Sequence, residues 1–199
     1  MVRTVRLSVF WIFLLTGLTL AAQPQESAGP KAQQSTITVH VFKSGLFSGF
    51  AHNHIVVAPV AHAAIDPAHL TAEITVVTKE MKVTDPDVSD KDRAEIQSTM
   101  LGPKVLDQEK YPEIRFKSSG IKQTSPRHYR VAGTLELHGA KQEITFEVTG
   151  GPEHFHGATK LKQSDFGIKP ISLGGGSVKV KDILELEFDV YAPGAKNGS

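Results

Sequence analysis

The sequence predicts an all-β domain, an antiparallel barrel or sandwich, on three observations. Apolar residues recur at every second position through most of the chain, turn-forming residues fall between these runs, and no crossover-helix spacing separates them. A period of two puts alternate side chains on opposite faces of a strand, so each run has one face to bury.

The chain begins with Arg3 and Arg6, an apolar run from Leu7 to Leu20, and Ala21-Ala22 before polar Gln23. That order of basic, apolar and small residues is the pattern of a cleavable secretory signal, and it assigns residues 1–22 to a signal peptide. No basic stop-transfer flank follows the run, which argues against a retained membrane anchor. Residues 23–34 are rich in Gln, Pro, Ser, Gly and Ala and lack the apolar content to pack, so they read as a flexible linker. The folded domain is expected over residues 35–192, with residues 193–199 a flexible tail.

Strand signals then follow in order. Ile37, Val39 and Val41 alternate first; Leu70, Ala72, Ile74 and Val76 come next, with Thr71, Glu73 and Thr75 opposite. The pattern returns at Ile114 and Phe116, at Val131, Leu135 and Leu137, and at Ile144, Phe146 and Val148. It is cleanest at Leu184, Leu186, Phe188 and Val190, where Glu185, Glu187 and Asp189 take the other face. Turns are expected at Asp66-Pro67, Ser125-Pro126, His138-Gly139, Gly150-Gly151-Pro152 and Gly174-Gly175-Gly176. One segment departs from period two: from about Ser89 to Leu101 a short helix is expected, with Ser89 as N-cap and Asp90, Asp92 and Glu95 crowding the half that the helix dipole favours for acids.

Composition narrows the function. The chain has 22 Lys and Arg and 21 Asp and Glu; without Arg3 and Arg6 the balance is 20 against 21, too neutral for a nucleic-acid partner. There is no cysteine, so an exported form rests on neither disulfides nor thiolate metal sites and cannot be acylated through a cysteine. The 199 residues, less the leader, suffice for one domain with a substantial core.

Three stretches carry a resemblance: Val105-Leu-Asp-Gln-Glu-Lys-Tyr-Pro-Glu-Ile-Arg-Phe-Lys-Ser118, Gly133-Thr-Leu-Glu-Leu-His-Gly139 and Gln163-Ser-Asp-Phe-Gly-Ile168, with an ending through Val178-Lys-Val-Lys-Asp182. In these stretches and their order the chain resembles the YceI-like family over residues 35–192. The resemblance implies a lipocalin-like antiparallel barrel of about eight strands with one short helix. It also implies a periplasmic location, a polyisoprenoid or other long-chain lipid as ligand, no catalysis, no cofactor and room for a homodimer. In such a barrel the inward faces form a tube, and the candidate lining residues are Val39, Val41, Phe50, Ile74, Val76, Met81, Phe116, Val131, Leu135, Phe146, Phe155, Phe166 and Phe188. Because a barrel of eight strands is near the size where side chains either fill the interior or leave room for one ligand, the same residues also suit a packed core.

The polar candidates are His52 and His54, for a ligand head group or a metal. At i and i+2 on a strand both imidazoles face one side, and His40 or His62 could supply a third donor. A metal-binding protein or metal-dependent enzyme built on His52 and His54 is therefore the alternative reading. A cupin pattern fails, since Val57, Ala58 and Pro59 stand where its Glu would be. Ser48 lacks the spacing of a nucleophile elbow, and Gly174–Gly176 lack the Lys-Ser/Thr of a phosphate loop. The acids Asp85, Asp87, Asp90 and Asp92 lack the Gly and terminal Glu of a calcium loop and read as a solvated helix entrance.

Overall fold

The computed structural model describes residues 34–45, 53–151 and 153–192. The expected leader and tail, most of the linker, and Phe50 and His52 lie outside the described residues. The strands are β1 (Thr36–Ser44), β2 (His54–Asp66), β3 (Thr71–Val77), β4 (Lys82–Val83), β5 (Glu113–Ser125), β6 (His128–Leu137), β7 (Ala140–Gly150), β8 (His154–Lys162), β9 (Ser172–Leu173) and β10 (Val178–Tyr191). The helix α1 spans Asp90–Leu101. All described pairings are antiparallel, in the order β1-β10-β8-β7-β6-β5-β3-β2, and β1 also pairs with β2. That last pairing closes an eight-stranded barrel, the architecture the resemblance implies. Closure removes the open edges that would otherwise invite association.

The short strands are accessories. β4 continues the line of β3 after a 3₁₀ turn at Thr78–Glu80 and pairs with the first half of β2, while β9 pairs with β10. Thr78, only 1% exposed, fixes that turn: its Oγ1 donates to the Tyr111 carbonyl (2.8 Å) and its N–H to the Pro112 carbonyl (2.9 Å). The expected helix forms with its expected cap, the Ser89 Oγ accepting from the Asp92 N–H at 3.2 Å. Gln97 ties α1 to the barrel by accepting from the Val83 N–H and donating to the Met81 carbonyl, each at 2.7 Å. Leu70, expected in a strand, instead sits in the turn before β3 with φ 52°.

The two most specific sequence stretches touch each other. β6 turns into β7 through His138 (φ 51°) and Gly139 (φ 77°), the left-handed pair that a tight hairpin requires. The Tyr111 ring lies over that turn, 4.6 Å from the His138 ring, and a Cβ on Gly139 would stand 2.5 Å from it. The Tyr-Pro before β5 and the His-Gly after β6 thus pack as one unit.

Strand direction defines two ends. β2, β5, β7 and β10 finish, and β1, β3, β6 and β8 begin, at one end. The opposite end is closed by a buried cluster of Val56, Ala58, Val76, Met81, Val83, Leu106, Leu135, Leu137, Leu161, Phe166 and Ile168, against which Ile96, Met100 and Leu101 of α1 pack.

A 3₁₀ turn at Gln163–Phe166 lies at this closed end, stopped by Gly167 in the left-handed region (φ 73°). Asp182 holds it, accepting from the Ser164 N–H (2.9 Å) and Oγ (2.6 Å). The Ser164 hydroxyl bond, then the backbone bond, lowers the Asp182 carboxyl below its ordinary 3.8. A carboxyl depressed by folding adds stability that is present above its unfolded value and lost as pH falls through its folded one. A carboxyl-carbon NMR titration should therefore place the Asp182 midpoint below 3.8, moving part of the way up when Ser164 is changed to Ala, since the backbone N–H bond remains; an unshifted wild-type midpoint would refute the contact.

Candidate functional site

Above the closed end the inward faces leave an apolar cavity of about 170 Å³ that opens at the other end. Period-two alternation delivers its wall: Ile37 from β1, Ile74 from β3, Phe116 from β5, Val131 and Leu135 from β6, Phe146 and Val148 from β7, Phe155 from β8, and Leu186, Phe188 and Val190 from β10. Few polar groups interrupt it, chiefly Tyr129 and Thr159 within the strands and Asp66 and Thr71 at the rim. Water gains little in such a space, so an apolar guest has a solvation advantage there.

The sequence candidates divide by depth. Ile74, Phe116, Val131, Phe146, Phe155 and Phe188 stand on the cavity wall, and Leu135 belongs both to it and to the buried cluster. Val76, Met81 and Phe166 stand in the buried cluster beneath, 3%, 6% and 2% exposed, and Val39 and Val41 pack half-buried against that cluster. Sequence reasoning missed Ile65, Pro67 and Leu70 as lining residues; they stand at the mouth from the end of β2 and its connection to β3. Their signal was an apolar pair flanking a turn, with Leu70 40% exposed where a strand reading would have half-buried it.

The rim carries the polar groups. Asp66 closes its own turn by accepting from the Ala68 and His69 N–H groups at 2.9 and 3.1 Å, with His69 Nδ1 2.6 Å from its other oxygen. Those bonds, the His69 side chain foremost, lower the Asp66 carboxyl below its ordinary value. Outside the barrel at the same end, His154 Nε2 and His156 Nδ1 lie 3.0 and 3.2 Å from one oxygen of Asp189, and the His154 ring stacks on Tyr191 at 4.4 Å.

His54 is at the other end. It begins β2, at the closed floor, and its Nδ1 lies 2.6 Å from Asp85 Oδ2. Asp85 is 2% exposed; its second oxygen accepts from the Ile55 N–H at 2.6 Å, and its carbonyl accepts from Arg93 Nε and Nη2 at 3.2 and 2.9 Å. This corrects the reading of Asp85 as part of a solvated helix entrance: it is a buried anchor between β2 and α1. Among the described residues no group of three or more His, Cys, Asp or Glu is disposed to hold a metal ion. His40, named as a third donor, instead lies 3.8 Å from Glu187.

The described residues thus form a closed antiparallel barrel, filled at one end and hollow and apolar at the other. The YceI-like domain model matches residues 31–192, and the chain belongs to that family. Among curated relatives it is 32% identical over 113 residues to a UPF0312 protein of Pseudomonas putida strain W619, covering 52% of this chain and 55% of that protein. A UPF0312 protein of Azotobacter vinelandii is 30% identical over 108 residues, 49% of this chain and 56% of its own. The chain thus spans about half the length of these relatives. Among solved structures it is similar in fold to BcnA of Burkholderia cenocepacia, with a TM-score of 0.60 at 20% identity over 79% of this chain and 96% of that one. A YceI protein of Campylobacter jejuni follows with a TM-score of 0.52 at 18% identity over 66% and 78%. No described helix is long and apolar enough to cross a membrane.

Proposed function

We propose that this protein binds a lipid-like amphiphile, with the apolar chain in the barrel and the polar head at the open rim, and serves as a non-catalytic carrier or sequestering protein. The observation that carries the reading is the apolar cavity whose mouth carries Asp66 and Thr71. Burial of each methylene is worth about 0.8 kcal/mol, so about six methylenes supply roughly 5 kcal/mol without any directed polar contact. The basic, apolar and small-residue order of residues 1–22 supports export by a cleaved signal, and family membership supports the periplasm as destination and isoprenoid chains among the ligands.

Native mass spectrometry of protein purified from the exported fraction tests this. The expected result is an adduct of lipid mass that dissociates on denaturation, and re-uptake of an offered prenyl alcohol or fatty acid by the stripped protein. A bare mass together with no uptake of either lipid would refute the proposal.

A further inference from the structure

The cavity wall is apolar apart from four side chains, Asp66, Thr71, Tyr129 and Thr159. Asp66 has both oxygens engaged in its own turn, one by the Ala68 and His69 N–H groups and the other by His69 Nδ1. Thr71 is exposed where β3 begins. Thr159 lies further down β8, two residues before Leu161, which already belongs to the buried cluster. Tyr129 differs from all three.

It is the second residue of β6, a strand that starts at the mouth, and the lining continues along that strand through Val131 to Leu135. Its half-buried ring meets the Phe155 ring at a steep angle, with centroids 6.2 Å apart, and Phe155 is likewise second in β8, which starts at the same end. The two rings thus stand where a guest's chain would give way to its head. The Tyr129 hydroxyl has no hydrogen-bond partner among the described residues, yet it is not sealed from solvent. A guest that covers the ring displaces water from the hydroxyl. Unless the guest offers an acceptor in return, the unpaired group weakens binding by roughly fivefold or more.

We propose that Tyr129 is the head-group anchor of the barrel, its hydroxyl donating a hydrogen bond to an oxygen at the junction of the ligand's chain and head. The inference rests on the lipid-binding reading and adds a ligand class to it: amphiphiles whose chain begins at a carbonyl oxygen, such as esters, acids and ketones, are favoured over chains that carry no acceptor there. The apolar wall gives affinity without direction. The one unpaired hydroxyl beside Phe155 supplies the direction, because it holds the oxygen at the mouth and sends the hydrocarbon end inward.

The test is isotope-edited infrared spectroscopy of methyl octanoate, labelled with carbon-13 at its carbonyl, bound to wild-type protein, Tyr129→Phe and Thr159→Val, with affinities from equilibrium dialysis and circular dichroism to establish folding. In the wild type the carbonyl stretch should fall below its frequency in a hydrocarbon solvent, the signature of an accepted hydrogen bond. Tyr129→Phe should return the band to the free value and weaken binding about fivefold, while Thr159→Val should leave the band where it is. A band at the free value in the wild type, or a band and affinity unchanged in Tyr129→Phe, overturns the anchor while leaving lipid binding standing. No retention of the ester by the wild type counts against the lipid-binding reading itself. The wild-type band alone keeps the test decisive should a variant fail to fold.

Discussion

Phe166→Ala should destabilise the protein by about 3–5 kcal/mol, the cost of deleting a fully buried phenyl ring that its surroundings cannot replace. Phe166 is 2% exposed and ends the 3₁₀ turn that plugs the closed end. Collapse around the vacancy is restricted because the turn is tied on several sides. Gln142 Nε2 donates to the Asp165 carbonyl at 2.7 Å, the Ile168 N–H donates to the Gln163 carbonyl at 3.1 Å, and Gln163 Nε2 donates to the Lys181 carbonyl at 2.9 Å. For a domain of this size the loss corresponds to a fall in Tm of about 10 °C. Phe155→Ala is the control: that ring stands at the mouth with its edge toward Tyr129, and its removal should cost much less stability while weakening ligand uptake. Urea unfolding of both variants checks the contrast. Equal losses would mean that the two ends of the barrel are not distinct.

Both phenylalanines were lining candidates, yet Phe155 lies on β8 and Phe166 in a 3₁₀ turn at the opposite end. Period two tells which way a side chain points across a sheet but not how far along the barrel axis it lies. Ile74 and Val76 alternate identically on β3, yet one faces the cavity and the other the filled floor. Their difference comes from the helix, the 3₁₀ turns and the cluster they close, all contributed from distant sequence. The strands with strong alternation, such as Leu184 to Val190, were readable because each inward residue is large and each outward one charged. β2 was not. Pro59 lies inside it, alanines give its alternation little amplitude, and a bulge between Val60 and His62 shifts the phase. β8 was hidden differently: Gly157, the notch for Phe188, occupies an inward position where a pattern search looks for a large apolar residue. Turns, by contrast, depend on local backbone requirements, and His138-Gly139 was legible for that reason.

Asp85→Ala should cost about 3 kcal/mol, and its effect should concentrate at the barrel seam. The carboxylate is buried and satisfies two donors of β2, the His54 ring and the Ile55 N–H. Removing it strands both, and an unpaired buried donor costs about 1–3 kcal/mol. The His54 ring retains some contact with water, 24% of its side chain being exposed, which holds the sum below that of a wholly buried pair. Asp85→Asn keeps one acceptor oxygen for the Ile55 N–H and should cost about half as much. The residues beside these donors matter because His54 to Pro59 are the partners of β1, from Val41 to Thr36, and that ladder is the one that closes the barrel. Hydrogen exchange should therefore quicken in Asp85→Ala along β1 and the first half of β2, and stay close to wild type between β6 and β7, which pair far from the seam. Uniform acceleration at both places would mean that Asp85 supports global stability alone. A seam-localised effect would account for His54 structurally, as the ring that holds a buried carboxylate at the start of β2, with no metal required.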